Sequence, residues 1–224
     1  MKSLQKSNIE ILKQIQQNNN KPWFAEHKPE IDKEFAEVKD FFKSIYQTMQ
    51  AYDQLEPIHI HRLYRDFRFS KDKLPYKDYF GLHIPRQKPL LRGGYFLRIK
   101  PGECRVAGGF YGPEPHDLKR IREEIALDPD EFRSFFETSD FKKLYDGMES
   151  EELKTAPKGY PKDHPAIDLL KKKSFIIYKD FTDEEVLQPD FRDKVIACFV
   201  GFRPFFDYMS AVLTTNSNGE SVFK

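Results

Sequence analysis

Only two cysteines, Cys104 and Cys198, occur among the 224 residues, far apart and in no spaced ligand or redox pattern. That excludes a disulfide framework and a cysteine-built metal site and leaves two reduced thiols. Long apolar runs are also scarce. No window approaches the roughly 20 apolar residues that span a bilayer, and the opening Met-Lys-Ser-Leu-Gln-Lys-Ser-Asn lacks the apolar run of a signal peptide. A cytoplasmic location without a membrane partner is the expectation. Charge of one sign is not in excess either: 37 Lys and Arg against 36 Asp and Glu give a net +1 and a pI of about 7.7. A surface made over its whole extent for nucleic acid would be more basic. The phosphate-loop spacings G-x-G-x-x-G and G-x-x-x-x-G-K-[ST] are missing from the glycine-rich stretch 108–115, which reads instead as a bulge packing a sheet edge. Ser70 and Cys104 have neither a nucleophile elbow nor an adjacent base.

Aromatic residues are abundant. With 21 Phe and 11 Tyr, a chain of this length can build a substantial core mainly from rings. No Gly/Ser linker, repeat or composition break divides it. The expectation is α+β: a single domain over residues 1–213, a mainly antiparallel sheet covered by several helices, long N-terminal and C-terminal helices packed on it, and a frayed polar tail from Thr214.

Periodicity places the elements. Leu4 to Gln17 reads as a short helix ending in Asn18-Asn19-Asn20, followed by an anchored turn at Pro22-Trp23-Phe24. A long helix starts near Pro29, with Ile31, Phe35, Val38, Phe42, Ile45 and Met49 on one face and Glu34, Glu37, Lys39 and Lys43 toward water. Ile58 to Phe69 alternates as a strand, and Asp78 to Ile84 is able to pair with it. Residues 95–100 and 103–107 form a hairpin across Pro101-Gly102. Helices follow at Pro115 to Ala126, Asp128 to Glu137 and Ser139 to Asp146, the last closed by Gly147. Asp163 caps a helix through Leu170, Ser174 to Lys179 is a strand, and a final helix runs from Asp190 to Leu213 with a bend at Pro204.

Chemistry is concentrated between Arg62 and Lys77. Six positives (Arg62, Arg65, Arg68, Lys71, Lys73, Lys77) against two negatives (Asp66, Asp72) leave +4 in a chain that carries only +1. On a strand, Arg62, Tyr64, Asp66 and Arg68 would share one face, with Asp66 orienting the guanidinium groups beside it. Ser70, Lys71, Asp72, Lys73, Tyr76 and Lys77 would extend the clamp for a phosphate or carboxylate. Lys158 and His164, in the turn-rich loop 157–165, are candidates to complete the same pocket or simply to cap a helix. His59 and His61 would lie on one side of the strand, but without a third ligand at a diagnostic spacing no metal site is read.

Four motifs carry a resemblance: Asn-Asn-Asn-Lys-Pro-Trp-Phe at 18–24, the run from Arg62 to Lys77, Gly-Gly-Phe-Tyr-Gly-Pro-Glu-Pro at 108–115 and Pro-Lys-Gly-Tyr-Pro-Lys-Asp-His-Pro at 157–165. In that order the chain, from about residue 4 to 213, resembles a bacterial and fungal family of conserved hypothetical proteins, the domain of unknown function 2461. The resemblance implies an α/β-type single domain and supplies no activity, cofactor or catalytic residue. Three functional readings stand beside it. One is a small anionic ligand held by Arg62, Arg65, Arg68, Lys73 and Lys77 with Tyr76 on its uncharged part, with or without catalysis. Another is single-stranded nucleic acid on the same basic and aromatic segment. The third is an internal Arg/Asp network with a structural or interaction role. Ligand identity, cofactor and oligomeric state are not legible.

Overall fold

The computed structural model describes residues 3–66, 73–216 and 219–223. The chain opens with α1 (Lys6–Gln17), a short α2 (Lys21–Glu26) and the 22-residue α3 (Lys28–Met49). Where a turn was expected, Asn20 caps α2 by accepting from the Trp23 amide at 3.0 Å, and Pro22 lies in the first turn, where its missing N–H costs nothing. The apolar stripe of α3 is buried from Ile31 to Met49, as its spacing requires. Glu34 departs from the expected pattern. It is 4 % exposed and accepts from Asn8 Nδ2 at 2.7 Å, because α1 packs over this part of α3.

Six strands follow in one antiparallel sheet of order β1-β2-β3-β4-β6-β5. They are β1 (His59–Ile60), β2 (Phe80–Pro85), β3 (Gly94–Ile99), β4 (Cys104–Phe110), β5 (Gly147–Glu149) and β6 (Phe175–Phe181). Between β4 and β5 run α4 (Pro115–Leu127), α5 (Pro129–Glu137) and α6 (Ser139–Leu144). Gly147 begins the edge strand β5 instead of merely ending a helix. The helix expected from Asp163 shrinks to α7 (Ile167–Leu170), since the loop through Pro165 is irregular. After α8 (Asp183–Val186), the last long helix is two: α9 (Phe191–Gly201) and α10 (Arg203–Thr214), with Pro204 in the first turn of the second.

Period-two alternation divides the sheet into two faces. Phe80, Leu82, Ile84, Tyr95, Leu97, Ile99, Val106 and Phe110 are buried on one face. Phe80 stacks on Phe35 of α3 with centroids 5.4 Å apart, and Tyr95 lies among Phe199, Phe202 and Phe206 of the C-terminal helices. Gly108 and Gly109 lie inside β4, a central strand, and not at an edge bulge as the loop 108–115 suggested. A side chain at 108 would enter the Phe202 ring. Helices and sheet thus make one α+β unit around a single aromatic core.

Among the described residues one stretch, Phe191–Thr214, is long and apolar enough to cross a membrane by length and composition, contrary to the expectation that no window would qualify. From Val195 to Thr214 its only charges are Arg203 and Asp207. Half of its most apolar window is buried, and its rings pack on the sheet and on α5.

Candidate functional site

The described residues of the segment, 62–66 and 73–77, do not extend the sheet. β1 stops after Ile60, and His61 N makes one more bond, to Gly81 O at 2.8 Å. From there the chain pairs with its own return arm: Arg65 N donates to Pro75 O at 3.0 Å, Lys77 N donates to Leu63 O at 2.6 Å, and Tyr64 bridges Tyr76. Arg62 and Asp66 are exposed, Arg65 and Lys77 half-buried, and Lys73 exposed. Arg68, Lys71 and Asp72, with Ser70, lie outside the described residues.

Tyr76 points inward. It is 6 % exposed and stacks on Phe24 with centroids 3.7 Å apart and planes at 4°. Asn19 clamps its backbone, with Nδ2 donating to Tyr76 O and Oδ1 accepting from Tyr76 N, both at 3.0 Å. The expected ligand-contacting phenol is therefore a core residue, and burial raises its pKa. Lys158 and His164 stand elsewhere, on the loop before α7. That helix packs on α4 and leads into β6, toward the edge of the sheet opposite β1. His164 meets Tyr160 edge to face and accepts the Ala166 amide at 3.1 Å on Nδ1, so its work there is local.

What the fold does gather is a corner of the second sheet face. Around Lys77 lie Arg62 and Arg65: burial first, and then these two guanidinium groups, hold the ammonium pKa below its usual value. Lys77 Nζ sits 5.5 Å over the Tyr79 ring. Next to them His59, His61 and His83 share the face, since His59 registers with His83 across the β1–β2 ladder. The His59 and His83 rings are 6.1 Å apart at 23°; His61 lies 5.7 Å from Phe96 and 6.2 Å from Tyr79. Burial is the main cause lowering the pKa of both His61 and His83, and the neighbouring cations add to it. Two glycines make this packing possible. A Cβ on Gly81 would stand 2.8 Å from His61 Nδ1, and one on Gly94 would stand 2.9 Å from His83 Nε2, so the imidazoles occupy space a side chain would fill. His61 Nδ1 is enclosed and has no hydrogen-bond partner.

Farther along the same face the cations are consumed. Arg98 Nε donates to Glu103 O at 3.1 Å. Arg105 forks onto Asp180 at 2.6 and 2.8 Å, reaches Glu149 at 2.8 Å and covers the Tyr178 ring at 4.2 Å. The positive potential is thus local to the β1 corner and does not continue as a stripe.

A separate network was invisible in sequence. Arg86, 1 % exposed, donates Nε to Asp53 Oδ2 at 2.7 Å and Nη2 to Asp53 Oδ1 at 3.2 Å; its nitrogens also reach Asp207, Ser210 Oγ and Arg92 O. The Tyr95 hydroxyl donates to the same Asp53 carboxylate, and burial above all raises its pKa. Every donor of Arg86 is thereby directed at a protein acceptor, which marks this cluster as architecture tying the end of α3 to β2, β3 and α10. A polar cavity of about 330 Å³ opens beside it, lined by Tyr52, Gln54, Leu91 and Arg203 among others. A larger, mainly apolar cavity of about 670 Å³ lies between α5, α6 and the α9–α10 junction, with Phe135, Phe141, Leu144 and Phe205 in its wall. Neither cavity is lined by residues of the 62–77 segment.

By fold and site this is an α+β protein whose sheet is packed with helices on one face and gathers cations and rings at one corner of the other. The chain belongs to the family of conserved hypothetical proteins DUF2461, whose family model matches residues 7–208. No curated protein and no solved structure matches it.

Proposed function

We propose that the protein binds a compact anion, a phosphate- or carboxylate-bearing small molecule, at the corner formed by Arg62, Arg65 and Lys77. The observation that carries this reading is the pairing of the two arms, Lys77 N on Leu63 O at 2.6 Å and Arg65 N on Pro75 O at 3.0 Å, which brings Arg62, Arg65 and the half-buried Lys77 to one corner. Like charges brought together cost free energy, and a bound anion reduces that cost. On the sheet side the corner meets the imidazole of His61, which Lys77 faces, and through it Phe96 and His83.

Single-stranded nucleic acid needs phosphate contacts repeated along a track. Arg98 on β3 and Arg105 on β4 spend their donors on protein acceptors, which favours a discrete ligand over a polymer lying across the sheet. Calorimetric titration with pyrophosphate and with citrate tests the reading. Lys77→Ala is expected to weaken binding about tenfold, the value of one charge-assisted contact, while Lys158→Ala leaves it unchanged. Failure of both anions to bind the wild type, or equal losses in the two variants, would refute it.

A further inference from the structure

The anion corner continues without a break into a strip of rings, Tyr79, His61, Phe96, His83 and His59. Each meets the next within 6.2 Å between centroids or, for Phe96 and His83, as a cross-strand pair. Aromatic side chains on a sheet are normally buried by a helix or replaced by polar residues on an open face. Here Phe96, Tyr79, His61 and His83 stay half-buried and His59 is exposed. Glycines at 81 and 94, the sheet positions beneath the imidazoles, keep these rings against the backbone. His61 Nδ1, enclosed on the Gly81 side, has no hydrogen-bond partner, so the imidazole is held by its ring packing and not by a polar anchor. Two carboxylates beside the strip are engaged by protein partners: Asp78 by Lys100 at 3.6 Å and Gln16 at 3.3 Å, and Glu56 by the Lys88 amide at 3.2 Å.

We infer that the bound anion carries a flat heterocycle: a nucleotide phosphate whose ring stacks on the Phe96–His61 part of the strip while its phosphate meets Lys77, Arg62 and Arg65. This rests on the anion reading above and names its ligand class. Stacking of one base on an aromatic side chain contributes about 1–3 kcal/mol, or roughly 5- to 150-fold in affinity. The source of the nucleotide is either a free mononucleotide or the end of a single strand, and both present the same ring and phosphate.

The test is calorimetric titration of the wild type with adenosine monophosphate, ribose 5-phosphate and an oligodeoxyadenylate. Adenosine monophosphate is expected to bind about tenfold or more tightly than ribose 5-phosphate. Phe96→Leu should bring it down to the level of ribose 5-phosphate and leave the latter unchanged, and His61→Gln should repeat that pattern from the neighbouring ring. Lys77→Ala should weaken both compounds alike. Equal affinity of the two in the wild type, with Lys77→Ala still lowering both, overturns the ring assignment and leaves the anion site standing. No binding of either overturns both. Tighter binding of the oligonucleotide with a steep salt dependence assigns the nucleotide to a strand, and affinity no better than the monophosphate assigns it to a free metabolite.

Discussion

Arg86→Met removes the centre of the buried network while keeping most of the side-chain volume. The Asp53 carboxylate, with a side chain only 2 % exposed, would keep the Tyr95 hydroxyl and the Gln54 amide at 2.9 Å but lose both guanidinium bonds. Breaking a buried ion pair by removing one partner costs about 3–5 kcal/mol, because the remaining charge is stranded. For a chain of this size about 2–4 °C of melting temperature corresponds to 1 kcal/mol, so a fall of roughly 6–20 °C is expected. Asp207, half exposed, can rehydrate and adds little to the loss. Removing both charges in Arg86→Met/Asp53→Leu should recover much of the deficit, since paired buried charges replaced together by apolar groups are often neutral. Thermal and urea unfolding followed by circular dichroism and by the fluorescence of Trp23, the single tryptophan, read the effect. Coincident transitions by the two probes establish that the whole fold is being measured. A single variant within about 1 kcal/mol of wild type, or a double variant no better than the single, would refute the reasoning.

The histidines of the open face make stability depend on pH. Burial lowers the folded-state pKa of His61 and His83 below the ordinary value of 6.5, so the unfolded chain binds protons first as pH falls. Their contribution is complete above about pH 6.5 and is lost as pH drops from there toward the folded values. Melting temperature at constant ionic strength should therefore decline below about pH 6.5, and the decline should shallow in His61→Gln/His83→Gln; an unchanged slope would show that other groups carry it. Tyr76→Ala should lose about 3–5 kcal/mol through the vacated stack on Phe24. Tyr76→Phe should keep both the midpoint and pyrophosphate affinity, and a selective loss of affinity in Tyr76→Phe would return the phenol to the ligand.

The long helix α3, the hairpin β3–β4 and the bent C-terminal helices were legible because each carries its own period, and a local pattern suffices to read them. The strand expected over Ile58 to Phe69 was not. Its alternation is real, but its partner β2 begins at Phe80, so beyond His61 no ladder remains to join and the chain bonds to its return arm. That change of partner also turned Tyr76 from the ligand side to the core. The concentration of cations was visible as composition, whereas their meeting with His83, Phe96 and Tyr79 depends on strand register. In sequence these are only the positions that alternate with the core residues of each run. The Arg86 network joins residues 33 and 121 positions apart, and each member alone reads as an ordinary surface charge.

Asn19 gives its single side-chain amide to both backbone groups of Tyr76, imitating for one residue the neighbouring strand that the return arm lacks. The reach of the cationic corner is therefore set from 57 residues upstream. Asn19 works as the datum for the return arm at Tyr76, next to Lys77, so the placement of that arm depends on the amino-terminal helices as well as on its own charges. Two stretches of chain that look independent, an asparagine run and an arginine run, are in this protein one mechanical part.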